Sequence, residues 1–432
     1  MIQKVLIANR GEIALRIIRA CRELGVETVC VYSSADNGGP WLEQADRAIC
    51  IGPGPSKESY LKIERIIAAA EVSHADAIHP GYGFLSENSH FAEVCRASGF
   101  EFIGPSPEAM HALGDKVNCK KLARKTGTPV FPGTEDAIED IDEAVKVAAE
   151  IKYPVIVKAR AGGGGRGMRI ARNEAELRAG IESARQEAAA AFGDGGVYVE
   201  KFLENARHFE GQTIGDKHGH AVHLYERDCS SQRRHQKLVE EAPAPGVDPK
   251  KRDKVCESAA ALIREAKYSG AATVEFLMDR HQDFYMLEVN TRVQVEHPVT
   301  EMITGVDIVK TGIRVAAGEE LPFTQKDIHI NGHAIEVRIN AEDPDRNFMP
   351  QAGLIETYAA PGGPGVRIDS HARAGYRIPP NYDSMIGKLI VHAPDRDTCI
   401  ERLKGALREF RIGPVKTTIP LHQRLLEEPD FQ

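Results

Sequence analysis

The eight cysteines include no pair at C-x-x-C spacing. That excludes the commonest zinc sites and gives no disulfide framework, so a reducing, cytosolic setting is expected. No stretch approaches the ~18 consecutive apolar residues of a membrane span. Met1 leads into IQKVLIANRG, a short apolar strand and a turn, where a signal peptide would show a charged region and then a long apolar one. Surplus positive charge is also missing. The net charge of −8 argues against a general nucleic-acid binder. There is no internal repeat and no low-complexity tract. What remains is 432 residues, 42% hydrophobic and 27% charged, a soluble composition long enough for more than one core.

The first hundred residues alternate strand and helix. KVLIA, ETVCVYS, ADAIHP and FEFIG read as strands; EIALRIIRACRELG, SYLKIERIIAAAEVSHA and SHFAEVCRASG read as helices. That alternation predicts a parallel sheet with helices on its faces. A helical stretch, SPEAMHALGDKVNCKKLARKTG, follows. Near residue 130 the chain becomes Pro-rich and enters a small α/β unit: a helix, YPVIVKA, a glycine loop, MRIA, a long helix and GVYVEKF. From about 204 strands dominate. The expected fold class is α/β and α+β in three parts: residues 1–113, 114–203 and 204–432.

Four stretches carry candidate chemistry. The loop Ala161–Met168 contains G-x-G-x-x-G but runs from strand to strand, so it is neither a Rossmann turn nor a Walker A loop. Its free backbone N–H groups suit an anion. Lys158, inside an apolar strand just before it, needs an anion or water. A phosphate lid and a surface hairpin with a snorkelling lysine are the two readings. In ERDCSSQRRHQKLVEEAPAP, residues 226–245, Arg233, Arg234, His235 and Lys237 stand between Glu226 and Asp228 on one side and Glu240 and Glu241 on the other. An anion site with counter-charges and a solvated charge run both fit. Glu275 is the one charge in GAATVEFLM and needs a partner. With Glu288 and Asn290 on a neighbouring strand it would offer oxygens to Mg2+, unless it simply pairs with a local arginine. Finally, EVNTRVQVEHPVTE, residues 288–301, places Glu288, Asn290, Arg292, Gln294 and Glu296 on one strand parity and Val289, Thr291, Val293 and Val295 on the other. This predicts a strand with an apolar core face and a polar face turned to ligand or water.

ANRGEIALRIIRA, HPGYGFLSEN, GGGGRGM, ERDCSSQRRHQK, EVNTRVQVEHPVTE, EVRINAEDP and YDSMIGKL together resemble the ATP-grasp superfamily and, within it, the biotin carboxylase family over essentially the whole chain. The resemblance implies an ATP-grasp fold with an N-terminal Rossmann-like domain, a small mobile lid and a larger C-terminal mixed-sheet domain. It implies a ligase that carboxylates biotin with ATP and bicarbonate through carboxyphosphate. Lys116, Lys158, Gly163, Gly164, Gly165, Glu200, Lys201, Leu203, His208, Gln232 and His235 then look like nucleotide contacts. Glu275, Glu288 and Asn290 look like ligands of Mg2+ or Mn2+. Arg292, Gln294, Val295 through its backbone, and Glu296 look like the bicarbonate site. By the same resemblance Lys237 looks like the cation beside bicarbonate and the γ-phosphate, Glu296 like the base, and Arg338 like the stabiliser of the biotin enolate. Tyr82 and Glu87 belong near biotin.

The implied partners are a biotin carboxyl carrier protein and a carboxyltransferase, in the first half-reaction of acetyl-CoA carboxylase and fatty acid biosynthesis. No Met-Lys-Met attachment motif is present, so the carrier is expected on another chain. A homodimer is expected, because Arg16, Arg19 and Glu23 match the family's dimer contact, although Pro364 stands where some relatives carry an aromatic. Gly211 and Gly215 stand where the family has larger residues, which would open space near the nucleotide and bicarbonate end of the cleft. Arg160 replaces a small residue before the glycine loop. The alternatives are another ATP-grasp carboxylate–amine ligase, the corresponding subunit of a different acyl-CoA or pyruvate carboxylase, and a nucleotide-binding module with a decayed site.

Overall fold

The computed structural model describes residues 2–134, 137–138, 140–159, 168–192 and 195–431. The chain forms two compact units. The larger comprises Met1–Gly114, Phe209–Glu275 and Val289–Gln432; the smaller comprises Asp115–His208 and Phe276–Glu288. Among the described residues no helix is long and apolar enough to cross a membrane.

The larger unit opens with β1 (Lys4–Ile7), α1 (Gly11–Glu23), β2 (Glu27–Tyr32), β3 (Arg47–Cys50), α2 (Ile63–Ser73), β4 (Ala77–His79), α3 (Ser89–Ala97), β5 (Glu101–Phe102) and α4 (Pro107–Gly114). The strands form a parallel sheet in the order β3-β2-β1-β4-β5. The strand order reverses between β1 and β4, where open α/β sheets place their ligands. The loops after these two strands are tied together there. Asn9 Nδ2 donates to the carbonyls of Pro80 and Tyr82, both at 2.7 Å. Gly81 has φ +63, and a Cβ there would lie 2.8 Å from Asn9 Nδ2, so this turn requires glycine.

The smaller unit holds α5 (Lys116–Lys125), α6 (Ile141–Ile151), β6 (Val155–Ala159), β7 (Arg169–Ala171), α7 (Glu174–Phe192) and β8 (Val197–Lys201). The sheet order is β7-β6-β8, antiparallel, with Val155 opposite Ala171. Val155, Val157, Val197 and Val199 meet Ala144, Leu177 and Ile181 in its core. The helical stretch expected over 106–127 is two helices. Asp115 breaks it by capping α5, its Oδ1 accepting from the Asn118 N–H at 2.8 Å.

Next come β9 (Arg207–Gly215), β10 (Ala221–Arg233), β11 (Gln236–Ala242), α8 (Pro249–Glu265), β12 (Gly270–Met278), β13 (Phe284–Asn290), α9 (His297–Thr304), α10 (Ile308–Ala316) and β14 (His333–Asn340). With the strands Val366–Ser370 and Met385–Ala393 they build an eight-stranded sheet. Its order is β13-β12-β9-β10-β11-β14, then Met385–Ala393, then Val366–Ser370. Strand parity divides β11, β14 and Met385–Ala393 sharply. Val239, Ile335, Val337, Leu389 and Val391 enter the main apolar core. The opposite face carries Glu240, Ala242, Ala334, Glu336, Arg338, Lys388 and Ile390. There Val299 and Ile303 of α9 pack on Ala242, Ala334 and Ile390.

Candidate active site

Lys237 is the second residue of β11, and its side chain is directed among acids. Its ammonium pairs with Glu210 of β9, with Glu296 at 2.7 Å and with Glu275 of β12 at 3.3 Å. Those neighbours hold it strongly cationic against the burial that would lower it. Glu296 is buried, but Lys237 and Arg338 hold it below the usual carboxylate value despite that burial. Glu210, Cys229 and Glu296 place three potential ligand atoms within 4.8 Å of one another. The Lys237 ammonium already supplies that cluster with a cation.

Arg227 of β10 braces the same group from the sheet. It is fully buried and donates to Glu210 Oε2 at 3.1 Å, Gln212 Oε1 at 2.6 Å, Thr300 Oγ1 at 3.1 Å and Gln294 Oε1 at 2.5 Å. The bicarbonate candidate Gln294 is therefore held at both ends, since its Nε2 donates to Glu275 Oε1 at 2.9 Å.

The strand expected through residue 296 ends at Asn290. Residues 291–296 turn instead, and Glu296 becomes the N-cap position of α9, with Pro298 in the first turn. A proline there suits a helix start and has no N–H for a ladder. The polar residues do not share one strand face. Asn290, Gln294 and Glu296 are as buried as Val289 and Val293. They still converge: Asn290 Nδ2 donates to Glu275 Oε1 at 2.6 Å, and Arg292 Nη2 donates to Asn290 Oδ1 at 3.0 Å. Arg292 Nε lies 3.0 Å from Glu87 Oε2, and the Thr291 N–H donates to Glu87 Oε1 at 3.3 Å. The Val295 carbonyl accepts from Lys388 Nζ at 2.7 Å.

Arg338 bridges two acids. Its Nε donates to Glu240 Oε1 at 2.6 Å and its Nη2 to Glu296 Oε2 at 3.0 Å. Lys237, Glu296, Arg338 and Glu240 thus form one charge chain. Tyr82 lies on the loop after β4, and its hydroxyl donates to Glu12 at the start of α1. Glu12 Oε2 is 3.4 Å from Lys388 Nζ.

The basic run of β10 and β11 divides. Lys237 joins the acids, whereas Arg233 lies 3.8 Å above the Phe348 ring and donates to Asn347. Gln232 Nε2 donates to the Cys229 carbonyl at 2.7 Å, and His235 sits exposed at the hairpin turn with φ +65.

In the smaller unit, buried Glu200 accepts from Lys158 Nζ at 2.7 Å and from Lys120. Burial raises Glu200, but the two lysines bring it below the usual carboxylate value. Burial, with Lys158 nearby, lowers Lys116. Lys158 also lies 5.4 Å over the Phe131 ring. Lys201 Nζ donates to the Lys152 and Tyr153 carbonyls at 2.8 and 3.3 Å. Leu203 and His208 are half-buried, and Glu288 is exposed. Gly163, Gly164, Gly165 and Arg160 lie outside the described residues.

The oxygen donors of Glu275 and Asn290, which meet directly, suit a hard divalent cation. Sequence reasoning missed Lys120, Glu210 and Arg227. Each is paired across strands or from a helix, and the one available signal was Arg227's place between acids in ERDCSS.

The biotin carboxylase N-terminal domain model matches residues 1–110, the carbamoyl-phosphate synthase L chain ATP-binding domain model matches 115–324, and the biotin carboxylase C-terminal domain model matches 336–432. A biotin carboxylase of Nostoc sp. is 54% identical over 428 residues, covering 99% of this chain and 96% of the relative. The biotin carboxylase–beta-gamma-ATP complex from Campylobacter jejuni superposes with TM-score 0.93 at 51% identity, covering 100% and 96% of the two chains. The biotin carboxylase domain dimer of Hydrogenobacter thermophilus 2-oxoglutarate carboxylase, in complex with MgADP, ADP and bicarbonate, gives TM-score 0.90 at 49% identity, covering 100% and 95%.

Proposed function

The chain belongs to the biotin carboxylase family, and on that premise we propose that it uses MgATP and bicarbonate to carboxylate biotin carried by a separate protein. The observation that carries the reading is the position of Glu296, 2.7 Å from Lys237 and 3.0 Å from Arg338. One carboxylate thereby couples a cation suited to a transferring phosphoryl group with a guanidinium suited to an oxyanion.

Bicarbonate is a weak nucleophile. Glu296 is held ionised, so it can accept the bicarbonate proton as the bicarbonate oxygen attacks the γ-phosphorus. Lys237 and Arg292 offset the charge that gathers there. ADP leaves, and carboxyphosphate remains. Lys116 and Lys158 would face the phosphates, Lys201, Leu203, His208, Gln232 and His235 the rest of the nucleotide, and the loop at Gly163–Gly165 would exclude water from the labile product. Glu200 orients Lys158. Glu275, Glu288 and Asn290 would hold Mg2+, which neutralises phosphate charge when bound. Carboxyphosphate breaks to CO2 and phosphate; the phosphate takes the N1′ proton of biotin, and N1′ attacks CO2. Arg338 holds the ureido oxygen as it gains charge, with Tyr82 and Glu87 lining the biotin side.

In this reading residues 1–113, 114–203 and 204–432 act as the Rossmann-like part, the lid and the catalytic part. The proposed partners are a biotin carrier, a carboxyltransferase and a second copy of the chain, in the cytoplasm. Arg16 is committed within the chain, to Glu301 at 2.9 Å and Asp307 at 2.6 Å, which leaves exposed Arg19 as the better dimer candidate.

ADP release from MgATP tests the reading. Turnover is expected to need bicarbonate and to rise with free biotin, and Arg338→Ala is expected to remove the biotin-dependent part. Turnover indifferent to both additions would sink the proposal.

A further inference from the structure

The polar face shared by β11, β14 and Met385–Ala393 contains two acids that the mechanism does not use, Glu240 and Glu336. Register places Glu240 opposite Glu336, and Arg338 opposite Lys388. Glu336 and Arg338 are two apart on β14, so they share this face. Glu240 and Glu336 are fully buried. The other charges here are matched: Glu240 with Arg338, Arg338 with Glu296, Lys388 with Glu12 and the Val295 carbonyl. Glu336 is the exception. Neither of its carboxyl oxygens has a hydrogen-bond partner among the described residues, and Glu240 Oε2 has none either.

A buried carboxylate without a partner is costly, and two ionised carboxylates directly opposite on a sheet add repulsion. A proton on one of them removes both penalties, because the new O–H can donate to the other. Glu240 holds Arg338 at 2.6 Å and is better left ionised. We propose that Glu336 is a positioning residue for Arg338: its neutral carboxyl donates to Glu240 Oε2, fixing the Glu240 carboxylate whose other oxygen orients the Arg338 guanidinium. The charged groups that act on Glu336 are Glu240 from β11, Arg338 from its own strand, Lys388 from Met385–Ala393, and Glu296 from the start of α9. Burial pushes Glu336 well above the usual carboxylate value; Lys388 opposes this and Glu240 adds to it. Burial also raises Glu240, with Arg338 opposing. Both directions favour a proton on the pair, and the ion pair of Glu240 assigns it to Glu336.

The inference rests on the role given to Arg338 above, so its test has one arm that does not depend on turnover. The infrared spectrum of the full chain near neutral pH is expected to show a carboxylic-acid C=O band that disappears in Glu336→Gln. Loss of no such band would overturn the proposal. In the second arm, Glu336→Gln, a neutral donor of similar shape, is expected to keep biotin-dependent ADP release within about threefold of the parent chain. Glu336→Leu, neutral without a donor, is expected to lower biotin-dependent kcat by about tenfold with KM for MgATP little changed, the signature of a displaced reacting group. Equal loss in both variants, or no loss in Glu336→Leu, would also overturn it. A parent chain that lacks bicarbonate- and biotin-dependent turnover would remove the functional reading and leave the infrared arm to decide the state of Glu336.

Discussion

Lys237 brings one positive charge to three carboxylates, so its loss affects more than a single contact. Lys237→Gln leaves Glu210, Glu275 and Glu296 facing one another in a buried space. We expect kcat to fall by ~10²–10³-fold, the scale of losing one preorganised charge stabiliser. We expect Glu296 to become harder to ionise, moving the acid limb of the kcat/KM profile to higher pH. Steady-state ADP release across pH measures both, and an unmoved acid limb would separate Glu296 from Lys237. Lys237, Glu296 and Arg338 were legible in the sequence because they lie in long, specific peptides. Glu210 was not, and Arg227 and Lys388, though inside quoted peptides, showed no role there, because the importance of all three comes from pairing across the fold. Arg227 meets Gln294 at a sequence separation of 67 residues. Glu336 stands two residues from Arg338, yet only the register opposite Glu240 gives it meaning.

At the scale of elements, β9 corrects one reading of its glycines. Gly215 pairs with Ala221 at the far end of the strand, five residues from Glu210. At ~3.4 Å per residue that is ~17 Å along the strand, so Gly215 opens no space at the catalytic end. A Cβ at Gly215 would sit 2.4 Å from the Tyr268 carbonyl oxygen, so close approach of two backbones sets this glycine. Gly215→Val is expected to destabilise the chain by ~1–3 kcal/mol, the cost of forcing volume into a packed site, with KM for MgATP unchanged. Chemical denaturation followed by circular dichroism reads the first and steady-state kinetics the second. A variant as stable as the parent would refute the steric account. Most elements before residue 114 were legible because their hydrophobic periods are clean; the edge strand β3 was not, because Arg47–Cys50 is largely exposed and carries no apolar run. The run FYMLEVNTRVQV misled because its alternation continues past Asn290, while Pro298 and the helix start at His297 decide where the strand stops.

Across the whole molecule, buried ionisable groups set an acid limit. Burial lowers His79 and His371 to about 3, His223 and His422 to about 4, and His297 well below its ordinary value. In the unfolded chain these histidines take up protons near pH 6.5. Unfolding below that pH therefore binds protons the native state refuses, and stability is lost as pH falls. Glu12, Glu226 and Glu336 act in the opposite sense. Burial raises them, Glu226 to about 7, so the native state keeps protons that the unfolded chain sheds above about 4.5. That contribution is present at low pH and is lost as pH rises through the raised values. The two sets partly offset each other between about pH 4.5 and 6.5. Below about 4.5 the unfolded glutamates are protonated as well, and each histidine then removes up to ~1.4 kcal/mol per pH unit until its native value is reached. Melting temperature is expected to decline gently from about pH 6.5 to 4.5 and steeply below. Equal slopes in the two ranges would contradict these assignments. The same molecule also resists dissection. Its smaller unit is not one segment of the gene: the chain passes between units at Gly114–Asp115, His208–Phe209, Glu275–Phe276 and Glu288–Val289. A protease that nicks one of these junctions leaves the smaller unit still attached through the other three. Expressing it alone requires splicing 115–208 to 276–288 with a designed linker.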